Sequence, residues 1–166
     1  LVVRAPYGAG VRGALWHSQS LEALYAHRPG LKVVIPSTPY DAKGLLIAAI
    51  RDPDPVIFFE HKKAYRLIKG EVPDGDYTVP LGVAAVKRAG ETLTCVSYGL
   101  MLHYCLQAAE ELTQENVSVE VVDLRTISPL DKTTILESVK KTGKCLLVTE
   151  DTQSFSVMAE VAALIS

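Results

Sequence analysis

The sequence has no apolar run approaching the roughly 20 residues that a membrane-spanning helix needs. It also lacks an excess of charge of either sign. With 17 Lys and Arg against 19 Asp and Glu, the formal net charge is −2, so no basic surface points to nucleic acid. Cysteine is scarce. Cys95, Cys105 and Cys145 are odd in number and far apart, which fits neither a zinc-ligand spacing nor a disulfide framework. Cys95 and Cys145 lie inside apolar runs and read as buried thiols; an intracellular, reducing setting is expected. What is present is a globular composition, 48% apolar and 22% charged over 166 residues, enough for one domain or two small ones. The charged run Glu60-His61-Lys62-Lys63 is short and reads as a solvated loop. No leader segment is read at the start. Leu1-Val2-Val3-Arg4 looks like the inside of a strand, and the last residues stop within an apolar helical pattern, so both ends are expected to continue in a longer protein.

Strand and helix patterns alternate along the chain. A short apolar run at 1–4 leads into a Gly-rich loop, Tyr7-Gly8-Ala9-Gly10-Val11-Arg12-Gly13. Residues 18–27 predict a helix, with Ser20 as N-cap and Leu21, Leu24 and Tyr25 on one face. Pro29-Gly30 ends it. The run 31–35 predicts a strand and 41–51 a helix, which Asp52-Pro53-Asp54-Pro55 stops. Residues 56–59 predict a third strand. Strands separated by helices indicate βαβ units and a parallel sheet. From 69 to 90 turn formers dominate and no period holds. This stretch is read as a linker, because such a length is unusual within one compact domain. A second alternating set follows: strand 92–98, helix 100–112, strand 117–124, helix 131–141 opened by Pro129 and Asp131, strand 145–149, and a helix from 156. Its near-continuous apolar strands imply a sheet covered on both faces. The expected class is α/β.

Gly8, Gly10 and Gly13 space as G-x-G-x-x-G, the spacing of a dinucleotide-binding turn. That turn needs a helix opening at the third glycine and an acidic residue about 20 residues on. Here the helix is expected only near Ser20, and Ile35-Pro36 stands where the acid should be. The glycines are read instead as places where backbone approaches another chain or a ligand closely. His17 ends the loop. An imidazole with an ordinary pKa of about 6.5 can give or take a proton near neutrality; a surface or capping role is the plainer alternative. His27 suits a helix C-terminus, and His61 and His103 read as structural or solvated. Asp52 and Asp54 either stop a helix or, with unpaired helix-end carbonyls, offer oxygen to a cation. The stretch 123–131 lies where a strand ends, a place where ligand sites concentrate. Its plainer reading has Asp131 capping the next helix and Arg125 in a structural pair. Glu150-Asp151 follows the last strand in the same way and is open between an interface and a site element.

Gly13-Ala14-Leu15-Trp16-His17-Ser18-Gln19-Ser20 resembles the H-S-Q loop of the beta subunits of thiamine diphosphate-dependent 2-oxoacid dehydrogenases. Pro29-Gly30-Leu31-Lys32-Val33-Val34-Ile35-Pro36 and Asp41-Ala42-Lys43-Gly44-Leu45-Leu46 are similar to the same family. Val122-Asp123-Leu124-Arg125-Thr126, with Pro129 and Asp131, resembles the second domain of transketolase-like proteins. The likeness covers the whole chain. Phe58-Phe59-Glu60 with Tyr65-Arg66, and His17-Ser18-Gln19-Ser20, resemble the branched-chain enzymes more than the pyruvate ones. Pyruvate and acetoin dehydrogenase beta subunits are the alternative, and a non-catalytic α/β docking domain is the alternative of a different class.

The resemblance implies a parallel-sheet, pyrimidine-type thiamine diphosphate domain over 1–68, a linker over 69–90 and a truncated transketolase C-terminal-like α/β domain over 91–166. It implies oxidative decarboxylation of 3-methyl-2-oxobutanoate-type 2-oxoacids, with the acyl unit passing to the lipoyl group of a partner acyltransferase. His17 takes the place of the family's active-site histidine. The carboxylate that activates the cofactor would lie upstream of Leu1, and the residues holding diphosphate and Mg2+ in an alpha subunit, so no cofactor-binding residue is assigned here. Potassium would be held by backbone carbonyls of Ala49, Asp52 and Asp54. An alpha-two beta-two heterotetramer is the expected whole, cytoplasmic in a bacterium or in the mitochondrial matrix of a eukaryote.

Overall fold

A computed structural model of the chain describes residues 1–10 and 12–166; Val11, inside the Gly-rich loop, lies outside the described residues. In chain order the elements are β1 (Val2–Tyr7), α1 (Ala14–His17), α2 (Glu22–Ala26), β2 (Lys32–Val34), α3 (Pro39–Arg51), β3 (Val56–His61), α4 (Ala64–Leu67), β4 (Ala85–Arg88), β5 (Leu93–Ser97), α5 (Leu100–Leu112), β6 (Val119–Asp123), β7 (Thr126–Ser128), α6 (Lys132–Thr142), β8 (Cys145–Leu147) and α7 (Val157–Ile165). Local chemistry sets the main boundaries. Thr38 accepts from Asp41 N–H at 3.1 Å and Pro39 opens α3, a preorganised helix start. Asp131 accepts from Thr134 N–H at 3.0 Å to open α6, and Gly143 closes it in the left-handed conformation.

Two four-stranded sheets form, in the orders β1-β3-β2-β7 and β4-β6-β5-β8. β1 and β2 run parallel to β3, and β5 runs parallel to β6 and β8. β4 and β7 are the antiparallel additions. Strand alternation sorts the core into layers. Val34, Val56 and Phe58 face α3, where Leu45 and Ala49 meet them. Cys95, Val119 and Val121 face α5, with Leu102 and Cys105. The opposite faces turn toward each other. Val33, Ile35, Ile57 and Phe59 pack with Val96, Tyr98, Val122 and Leu124 in one shared core, closed by Ile135 and Val161.

Several expectations need correction. The helix expected over 18–27 forms only over Glu22–Ala26, with Leu21, not Ser20, at its N-cap, and a separate short helix, Ala14–His17, precedes it. Gly8 N–H donates to the Gln19 carbonyl at 3.0 Å, which engages the chain just ahead of α2 outside any helix. Glu60 and His61 are not solvated loop. They finish β3, because its ladder with β1 continues through Pro6–Glu60 and Tyr7–His61, and His61 is buried. Residues 85–88, at the end of the turn-rich stretch, pair with β6, and β7 crosses from the second half to complete the first sheet. Cys145 is only half-buried, because β8 is an edge strand.

The two sheets meet closely at Gly99, which has φ +60°. A Cβ there would lie 2.1 Å from the Tyr7 hydroxyl, and the Tyr7 ring is buried and cannot swing aside. Gly99→Ala should therefore lower stability by about 3 kcal/mol, combining backbone strain with overpacking. Gly75 has φ +84° with nothing within 4 Å of a Cβ, so Gly75→Ala should cost about 1 kcal/mol, from strain alone. Denaturant midpoints of the two variants check this; equal losses would mean that Tyr7 yields without cost.

Candidate functional site

The carboxyl ends of β1, β3, β5 and β8 converge at the seam between the sheets, where open α/β folds gather ligand sites. Tyr7 and His61 arrive from the first sheet. Tyr98, Thr149 and Glu150 arrive from the second, and Glu22 comes from α2. His61 Nε2 lies 2.5 Å from Glu150 Oε1, with no exposed surface on the histidine side chain. The Tyr7 ring stands edge-on to it at 5.1 Å. The two atoms are at ion-pair distance without hydrogen-bond alignment, and neither ring nitrogen has an aligned partner among the described residues. The other Glu150 oxygen accepts from Ala9 N–H at 3.3 Å.

These contacts explain the glycines. A Cβ on Gly8 would lie 2.3 Å from His61 Nε2 and 2.8 Å from Glu150 Oε1, and one on Gly10 would lie 2.9 Å from Lys63 Cδ. The close approach expected of another chain or a ligand is made by this chain's own side chains. The space beside Gly8 is taken by His61 and Glu150, and that beside Gly10 by the Lys63 side chain.

Glu22 is fully buried. Tyr98 Oη donates to its Oε1 at 2.9 Å and lies 2.9 Å from Thr149 Oγ1. Glu22 Oε2 has no partner among the described residues. Burial pushes its pKa up to about 7, with Asp151 and Glu150 adding repulsion. Burial also raises the Asp151 carboxyl and the Tyr98 phenol, the latter far above its ordinary range. His17 sits elsewhere, as the last residue of α1. It is exposed, and its backbone carbonyl accepts from Lys62 Nζ. Its neighbours Leu15 and Trp16 are 69% and 83% exposed, which leaves an apolar face beside the imidazole.

The other sequence candidates are structural. Asp131 caps α6 and takes Ala84 N–H at 2.9 Å. Arg125 pairs with Asp41 at 3.1 Å and donates to the Val83 carbonyl. Asp123 is buried, accepts from Ser37 Oγ at 2.8 Å, and is pushed up to about 7 by burial. His103 meets the Ser37 carbonyl at 2.7 Å. Lys32 Nζ lies 2.7 Å from each Asp52 carboxylate oxygen and 3.0 Å from Asp54 Oδ2, so both side chains already face a cation. The Ala49 carbonyl accepts from Asp52 N–H at 3.3 Å. No cluster of three or more His, Cys, Asp or Glu side chains suited to a metal occurs among the described residues.

Sequence reasoning passed over Glu22 and misplaced His61. For His61 a signal existed: it follows Ile57 and Phe59 at the period of two that marks the inward face of β3. Glu22 carries none, since an acid in the first turn of a helix ordinarily points to water.

Residues 1–68 match the transketolase pyrimidine binding domain and residues 82–166 the transketolase C-terminal domain. Over all 166 residues the chain is 66% identical to the 2-oxoisovalerate dehydrogenase subunit beta of Bacillus subtilis (strain 168), covering 51% of that protein. It is 54% identical to the pyruvate dehydrogenase E1 component subunit beta of the same organism, again covering 51%. With the acetoin:2,6-dichlorophenolindophenol oxidoreductase subunit beta of Cupriavidus necator it shares 52%, covering 49%. The chain thus spans about half the length of these relatives. A solved structure described as a split gene transketolase, inactive beta4 tetramer, superposes with a TM-score of 0.84 over 99% of this chain and 52% of its own, at 24% identity, a likeness of fold.

The raised carboxyl of Glu22 has a signed consequence. The folded state keeps its proton up to about pH 7, whereas the unfolded chain releases it near its ordinary value of about 4.3. Between those limits the folded state binds more protons, so this group's contribution to stability falls as pH rises. Glu22→Gln removes the ionisation and keeps an acceptor for Tyr98. Between pH 5 and 8 the variant should gain about 2 kcal/mol on the wild type in denaturant unfolding. A constant difference across that range would place the Glu22 pKa near its ordinary value.

Proposed function

We propose, from the premise that this chain belongs to the transketolase family and carries its pyrimidine binding and C-terminal domains, that it forms half of the beta subunit of a branched-chain 2-oxoacid dehydrogenase. The reaction is the oxidative decarboxylation of 3-methyl-2-oxobutanoate-type 2-oxoacids, with the acyl unit delivered to a lipoyl group on a partner acyltransferase. The observation that carries the reading is the placement of His17: an exposed imidazole on a short helix, beside uncovered Leu15 and Trp16. That is the arrangement of a group offered to a second chain. The identity of 66% to a 2-oxoisovalerate dehydrogenase subunit beta, against 54% and 52% to the pyruvate and acetoin relatives, supports the branched-chain assignment.

Thiamine diphosphate, when bound, supplies the carbanion centre and the electron sink. The residues of this chain do not fit its diphosphate and magnesium: His61, Glu150 and Lys63 occupy the space beside Gly8 and Gly10, and no acidic metal cluster is present among the described residues. Those groups are assigned to an alpha subunit and to beta-subunit residues outside this chain. His17 holds a proton at its ring and gives or takes it at the substrate side. For potassium, the backbone carbonyls of Ala49, Asp52 and Asp54 are the proposed ligands. Lys32 already neutralises both carboxylates, so only backbone carbonyls are left to offer oxygen there, and Asp54 N–H donates to Asp52 Oδ1 at 2.9 Å, which orders the turn.

Three outcomes are expected in the full-length alpha–beta assembly. The ratio of kcat/KM for 3-methyl-2-oxobutanoate to that for pyruvate should exceed about 10, the low end of what methylene-scale pocket differences provide; a preference for pyruvate would replace the subtype. His17→Ala should slow reductive acylation of the lipoyl domain by about 10² to 10⁴ with assembly intact, whereas an unchanged rate would favour a docking domain without chemistry. Asp54→Asn keeps its backbone carbonyl, so any rise in Tm on adding potassium should be the same in variant and wild type.

A further inference from the structure

The segment that carries His17 is gripped from both halves of the chain. α1 buries none of its residues and has no side-chain cap, so its position is decided by its connections and not by packing. From the first half, Lys62 Nζ donates to the His17 carbonyl, and Gly8 N–H donates to the Gln19 carbonyl at 3.0 Å, which joins the residues on either side of α1. From the second half, Glu150 reaches across the seam. One oxygen accepts from Ala9 N–H at 3.3 Å and the other lies 2.5 Å from His61 Nε2. His61 presses on Gly8 so closely that no Cβ fits there. The anchor itself is held firmly, since Thr149 meets Tyr98 Oη and accepts from Asp151 N–H at 3.1 Å.

We propose that Glu150 is a positioning residue for His17, an inference that rests on the catalytic role given to His17 above. The Glu150 carboxylate, beside buried His61, pins Ala9 to the second half of the chain. With Gly8 joined to Gln19 and Lys62 joined to the His17 carbonyl, that contact ties the placement of the imidazole to the second half. The chemistry then depends on the two halves being joined, although Glu150 itself touches neither substrate nor cofactor.

The test uses the full-length assembly with Glu150→Ala, Glu150→Gln, His17→Ala and the His17→Ala/Glu150→Ala double variant. It reads kcat and KM for lipoyl acylation, and amide hydrogen exchange of peptides covering residues 8–19 and strands β5 and β6. Glu150→Ala should lower kcat at least tenfold, leave KM within twofold, and speed exchange at 8–19 at least tenfold while β5 and β6 stay protected. Glu150→Gln keeps an acceptor for Ala9 and should lie nearer the wild type. Because Glu150 acts through His17, the double variant should be no slower than His17→Ala. Unchanged exchange at 8–19, faster exchange with unchanged kcat, additive losses in the double variant, or exposure of β5 and β6 as well would each overturn the proposal. Wild-type activity in His17→Ala would overturn the functional reading and the positioning role together, whereas the exchange data would still show separately whether Glu150 grips the loop.

Discussion

Tyr7 ends β1 with its ring edge-on to Phe59 and His61, and its hydroxyl fills the space that a Cβ would need at Gly99. Through this contact the two sheets come close enough to share one apolar core. Each sheet keeps its own helix on the far face, but the inner faces bury each other. The apolar transfer energy of that shared layer is the largest favourable contribution available at the seam. It also leaves the polar strand ends cut off from water. Ser37 donates to Asp123, Gly99 N–H donates to Ser37, Tyr98 donates to Glu22, and His61 lies against Glu150. Every one of these contacts joins residues from the two halves, as expected when buried polar groups must find partners.

The partnering is incomplete, and the incompleteness has a direction. Glu22 and Asp123 each keep one buried carboxylate oxygen without a partner among the described residues. Desolvation then outweighs the hydrogen bonds made by their other oxygens, and both pKa values rise to about 7. Asp41 shows the opposite balance. It is just as inaccessible, yet Lys87, Thr38 and Arg125 surround it, and its carboxyl lies below the ordinary value. The difference between these buried acids lies in whether a cation was placed beside them.

Much of this was legible in the sequence, for identifiable reasons. α3 was legible through its stop at Asp52-Pro53-Asp54-Pro55 and α6 through its start at Pro129 and Asp131, because helix ends are decided by neighbours in the chain. The strands other than β4 and β7 appeared as apolar runs, while β4 fell in the stretch read as a linker. Contacts between distant residues were not legible. Glu22 meets Tyr98 across 76 positions, and nothing in α2 distinguishes a buried acid from a solvated one. The three residues of β7 are too few to show a period, and their crossing to the first sheet depends on tertiary packing. The glycine spacing pointed outward, to a ligand or another chain, because glycine reports only that something lies close. Here that something is His61 and Glu150. His17 alone showed nothing beyond a titratable ring, and its proposed role came through resemblance.

The exposure of His17 follows from the same division of labour. A helix of four residues cannot hold itself in water, since so few hydrogen bonds do not repay nucleation. Burial would fix it, but would also take the imidazole out of reach in the role proposed for it. The helix is left uncovered, and Lys62 at His17 and Gly8 at Gln19 hold the chain at its carboxyl side. A protonatable group on such a segment can be aimed precisely enough for proton transfer only if its anchors are stiffer than the segment itself. Buried His61 at the end of β3, with Glu150 beside it just past β8, is the anchor on the seam side. Rigidity in the core and exposure at the site are therefore two results of one arrangement.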